Sequence, residues 1–337
     1  MTTDMAPTTD QAAARPAARD AGALLRHADE LARAAVAVPA LARQKLAPLS
    51  QLALREDDLS LTGGFVHAIA RQLGEALYPP GLALDPAMIA QDIILTDSAA
   101  ISVLFARAIE ARLCANASLA GLAMPELPPR VEQPVGDAQD ELAQAAMALI
   151  IAQSRFIGNA QGFTLDLAEL PPELVSTLVR RTLGWLQDQL DADPLALRAC
   201  ADALLYSFDE RRGRPHRLMR FCHLFEFPRA GDDWSLAENG PSLIFAMLAR
   251  ASGLPTETLI DMVRDADLAR LAVVLRGCGL MPDPASQLLA GIALIASLRL
   301  EDVAAAPALA SINPDDAARL VASWRNLLPL SAPGLVL

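Results

Sequence analysis

Lysine is all but missing from this chain: Lys45 is the only one, and every other cation is an arginine. Arginine makes planar bidentate contacts that lysine cannot, so any recognition of an anion here rests on that fork. The same absence excludes a P-loop, which needs a lysine behind a glycine-rich turn, whereas Lys45 sits in RQKLA. Aromatic residues are also scarce, at 4%, and runs of Val, Ile, Thr and Tyr with period-two alternation are hard to find. Ala and Leu dominate instead, which predicts an all-α fold.

Cysteines are few and widely spaced. Cys114, Cys200, Cys222 and Cys278 form no CxxC pair, so zinc-ribbon and thioredoxin-like sites are excluded. No GxSxG, HExxH or GxGxxG motif occurs, and RGCGL is a lone pair of glycines at a helix end. The first twenty residues contain no apolar h-region, and the longest apolar runs, such as LLAGIALIASL, fall short of the roughly 18 residues that span a bilayer. These absences predict no transmembrane segment and a cytoplasmic protein with reduced thiols. No cofactor and no metal is expected.

What the chain does have is core material. Hydrophobic residues make up 53% of its 337 residues and charged residues 20%, enough for two domains or one extended helical array. The net charge is −12, a field that repels a phosphate backbone, so duplex nucleic acid is not an expected partner.

Residues 1–18 are Thr, Ala, Pro and Asp without periodicity and read as a disordered tail. Helical periodicity follows in ALLRHADELARAAVAVPALARQKL, with Pro39 as a break, in DDLSLTGGFVHAIARQLGEALY, and in TDSAAISVLFARAIEARLCANA, with Thr96 or Asp97 as N-cap. The proline-rich AMPELPPRVEQPVGDAQ places a boundary near residue 130, dividing a helical amino-terminal region, 19–130, from a carboxy-terminal region, 131–337. In the second region proline and an acid repeatedly stand just ahead of an apolar-periodic run, the arrangement that suits a first helical turn. Pro255, Pro282 and Pro314 are 27 and 32 residues apart. The expected architecture is a helical bundle followed by an irregular α-solenoid-like array.

From about Arg214 to Ile292 the chain resembles the bacterial family called domain of unknown function 2336. The likeness rests on a helix ending in LARASGLP, a short helix ending near an Asp, and LAVVLRGCGL. It covers about a quarter of the chain and excludes residues 1–130. The resemblance implies a helical, cytoplasmic, bacterial protein; the family brings no agreed activity, so it carries over no functional residues.

Candidate chemistry is sparse. His27, in LLRHADELAR, has acids a few residues on, the setting of a phosphotransfer histidine, and equally of an ordinary surface histidine. His67 is expected to pack within its helix. His216 and His223 share a face but stand about 10 Å apart along it, too far to ligate one ion. Of the paired acids, Asp57/Asp58 and Asp315/Asp316 fit helix starts, where they complement the dipole, and Asp232/Asp233 lie in a loop.

One stretch turns basic. Between Asp209 and Arg229 six arginines face three acids, a net of +3. Pro215 should start a helix whose core face is Leu218, Phe221, Cys222 and Phe225, with His216, Arg220 and His223 opposite and Arg217 at their edge. Six of the chain's fourteen aromatics lie nearby: Tyr206, Phe208, Phe221, Phe225, Phe227 and Trp234. Arginines beside aromatics grip phosphates or serve as hot spots for an acidic protein. The expected binding residues are therefore Arg211, Arg212, Arg214, Arg217 and Arg220. The reading is a non-enzymatic interaction or regulatory module with a protein partner. The alternative is a phosphate-handling signalling component, binding an anionic small molecule such as a nucleotide at Arg211–Arg220 or transferring phosphate through His27. No oligomeric state follows from these patterns.

Overall fold

Proline and short polar side chains set the helix starts. Proline occupies the first turn at Pro86, Pro129, Pro194, Pro215, Pro282 and Pro314, where its missing N–H would have had no intrahelical partner. Asp97 accepts from the Ala99 and Ala100 amides at 2.9 and 3.0 Å, and Asp140, Asp193 and Ser235 cap in the same way.

The computed structural model describes residues 21–35, 55–78, 85–122, 128–136, 140–189, 193–227, 233–304 and 306–326. Lys45, Pro39, Arg229, Asp232 and the expected tail at 1–18 lie outside them. Among the described residues there are fifteen α-helices and no strand, so the fold is all-α.

Two hydrophobic clusters are strung on one central helix. α4 (Ser98–Leu119) turns Phe105, Ile109 and Leu113 into the first cluster and Val103, Leu104 and Cys114 into the second. It is apolar on nearly every side, the signature of a helix surrounded by others. α6 (Glu141–Gln161) also serves both, giving Leu149 to the first and Phe156 and Ile157 to the second. The second cluster is completed by α2 (Glu56–Leu77), α3 (Pro86–Ile89) with the π-turn that follows it, α7 (Pro172–Gln189) and α8 (Pro194–Ser207). The first is completed by α1 (Ala21–Ala35), α5 (Pro129–Glu132), α9 (Arg214–Leu224) and the carboxy-terminal helices. The proline-rich stretch near residue 130 thus lies between two helices that share both clusters.

The carboxy-terminal helices are α10 (Leu236–Ser252), α11 (Thr256–Asp261), α12 (Ala269–Gly277), α13 (Pro282–Ala296), α14 (Ala306–Ser311) and α15 (Pro314–Arg325). α10 breaks at Gly240, whose φ of 66° is open to glycine, and Pro241 starts the second stretch. α1 packs on α12 and α15, bringing the two ends of the described chain together. Among the described residues no single helix is long and apolar enough to cross a membrane.

Candidate functional site

The basic stretch divides at one glycine. Gly213 lies so close to the Ala168 carbonyl that a Cβ there would sit 2.1 Å from its oxygen. That approach turns the next side chain, Arg214 in the first turn of α9, into the interior. Its guanidinium forms a two-pronged pair with Glu110 of α4, at 2.6 and 2.9 Å, and reaches Glu169 at 3.0 Å. It also lies 3.8 Å from the centre of the Phe156 ring. Arg107, one turn before Glu110, donates to Glu110 at 3.1 Å and to Glu257 of α11 at 2.7 Å. Arg107, Arg214, Glu110 and Glu169 are all buried, and their charges balance.

That balance overcomes desolvation. Burial pushes the Glu110 carboxyl up, but Arg214 and then Arg107 outweigh it and hold it at about 2. Burial likewise disfavours the Arg214 cation, and Glu110 and Glu169 more than restore it. Cys114, 3.5 Å from the Ser242 hydroxyl, is pushed up to about 12 by burial and by the Glu110 charge. A thiol held protonated in this way is not a nucleophile.

The other side of Gly213 faces solvent. Asp209 caps a 3₁₀ turn, Glu210–Arg212, by accepting from the Arg211 amide at 3.1 Å. The Arg211 and Arg212 side chains project outward. Arg212 and Arg155, an exposed residue of α6, line a small open cleft with Phe156, Asn159, Asp166 and Gly213. Arg217 stands beside them, donating to the Ala148 carbonyl at 2.8 Å. Partial burial, then the like charges of Arg155 and Arg212, lower the pKa of Arg217. Asp209 opposes that lowering. Among the described residues, Arg155, Arg211 and Arg212 have no side-chain hydrogen bond or ion pair, and Asp209 accepts from the Arg211 backbone amide. Arg155, Arg211 and Arg212 thus offer unpaired guanidinium donors to an anion beside Arg217.

The structure therefore separates the five arginines expected from the sequence. Arg211, Arg212 and Arg217 stay together, Arg214 enters the core, and Arg220 pairs with Glu141 at 3.0 Å. Leu218, Phe221 and Cys222 are buried, with Phe225 half-buried beside them. His223 meets Arg250 at 3.1 Å, and His67 is exposed rather than packed. His27 is held by Asp267 at 3.1 Å with a fifth of its side chain exposed, while Asp29 accepts from the Trp324 indole at 3.2 Å. Of the paired acids, Asp58 is buried against Arg112 at 2.6 Å, and Asp315 and Asp316 lie in the first turn of α15.

Three residues of the site stand outside the patterns of the sequence. Arg155 reaches it only because α6 packs on α9. Arg107 and Glu110 were legible in principle, as an i,i+3 pair of opposite charges on a helix with no polar face. Among the described residues no three His, Cys, Asp or Glu side chains converge to hold a metal ion.

Among the described residues, fold and site define an all-α chain with a buried cluster of paired charges around Arg214 and an arginine-rich corner beside it. No family model, no curated protein and no solved structure matches it.

Proposed function

We propose that this chain is a non-enzymatic helical interaction module of the bacterial cytoplasm. Its contact surface is the corner formed by Arg155, Arg211, Arg212 and Arg217, and its partner is a protein that presents acids. One observation carries the reading: the exposed guanidinium groups of Arg155 and Arg212 line one cleft, and neither forms an ion pair among the described residues. An acidic protein that keeps such a cluster unpaired holds a ready site for a negative group, where charge complementarity speeds and orients association. A nucleotide fits less well. Phe156, the aromatic of the cleft, is buried beneath Arg214 and offers no open face on which a base could stack.

Affinity capture from native lysate tests this, comparing the wild-type chain with Arg155→Glu/Arg212→Glu, and helical circular dichroism verifies that the variant folds. A protein captured by the wild type, released by moderate salt and lost by the variant is the expected result. Identical captures would return both arginines to the role of solvated surface groups.

A further inference from the structure

The partner's chemistry can be read from the helix that supplies Arg155. α6 has 21 residues and only two charges, Glu141 at its start and Arg155. Glu141 is already paired with Arg220. Along its outer face Met147 is 46% exposed and Ile151 57% exposed, and Ser154 and Gly158 beside them are exposed and small. At 100° per residue Met147, Ile151 and Arg155 fall within an arc of about 80°, and they span about 12 Å of helix. An apolar strip therefore leads directly into the unpaired arginine corner.

Resting on the contact surface proposed above, we infer that this strip and corner together receive an amphipathic acidic helix of the partner. Its apolar residues, one turn apart, lie on Met147 and Ile151, and its carboxylates run on to Arg155, Arg212 and Arg217. This is the helix-on-surface mode, in which apolar anchors at helical spacing give affinity and charges set register. Charge selects that occupant over a second copy of this chain. A two-fold pairing of the face would lay it against itself, and Glu141, the one acid of this helix, is already held by Arg220.

Two fluorescein-labelled synthetic peptides of identical composition test the inference by fluorescence anisotropy. One places Leu at helical i, i+4 spacing with Glu elsewhere, and the other scrambles that order. The wild type should bind the patterned peptide about tenfold more tightly, the equivalent of one good anchor. Ile151→Ser should erase that preference, and Arg155→Glu/Arg212→Glu should weaken both peptides. Equal binding of the two peptides with Ile151→Ser silent would overturn the strip while leaving the corner as a charged patch. Binding unaffected by the arginine reversal would overturn the corner itself, and with it this inference. No binding of either peptide rejects the acidic helix as occupant. So does a dimer in sedimentation that Ile151→Ser dissociates, since the strip then belongs to a second copy.

Discussion

Arg212 and Arg214 are one glycine apart and do opposite work. Arg214 is enclosed by Glu110, Glu169 and Phe156, with every charge around it answered. Arg212 shares an open cleft with Arg155 and forms no ion pair among the described residues. The difference teaches that the residue type marks neither a site nor a core; the neighbour does. A guanidinium matched to carboxylates in the interior holds helices together. One left unmatched at the surface keeps its attraction for something outside the molecule.

The largest expected effect comes from unbalancing the buried side. Removing one member of a buried ion pair leaves an uncompensated charge in low dielectric, a loss of about 3–5 kcal/mol. Arg214→Ala and Glu110→Ala should each lower the stability seen in urea unfolding by that amount, with Arg214→Lys intermediate, since it keeps the charge but not the fork. A change under about 1 kcal/mol for Arg214→Ala would place the cluster with surface pairs and erase the contrast.

Acid should act on the same side next. The folded Glu110 carboxyl titrates at about 2 instead of 4.5, so between those values the unfolded chain binds more protons than the folded one. Its contribution is fully present above pH 4.5 and disappears as pH falls through about 2. The shift corresponds to roughly 3 kcal/mol. Urea midpoints measured from pH 5 to pH 2 should fall steeply for the wild type. Glu110→Gln should flatten that fall, because its amide has no proton to take up. An equal slope in both would mean that other carboxylates carry the acid sensitivity.

Why one side of this contrast was legible in the sequence and the other was not follows from the range of each interaction. Helix starts are local: Pro215 in the first turn of α9, and Asp97 reaching amides two and three residues ahead, are written in adjacent positions. The buried face of α9, with Leu218, Phe221 and Cys222, is written in its periodicity. Arg214 depends on Glu110, 104 residues away, and on an approach between Gly213 and Ala168 that no periodicity encodes. Arg155 joins Arg217 only through the packing of two helices. His27 shows the same limit: Asp29 in its own helix accepts from Trp324, and Asp267, far along the chain, holds the imidazole. Periodicity says which side of a helix is covered. It does not say by what.

The smallest expected effect is the most discriminating. Arg212→Ala removes no ion pair and no side-chain hydrogen bond, and it takes one like charge away from Arg217. Stability in urea should therefore stay within about 0.5 kcal/mol of the wild type, with any change toward stabilisation. That gain should shrink as salt is added, because exposed charges are screened. A loss above about 1 kcal/mol would mean that Arg212, like Arg214, holds the fold together. The corner would then no longer be free to bind a partner. An unchanged stability leaves binding as the property that Arg212 can still control.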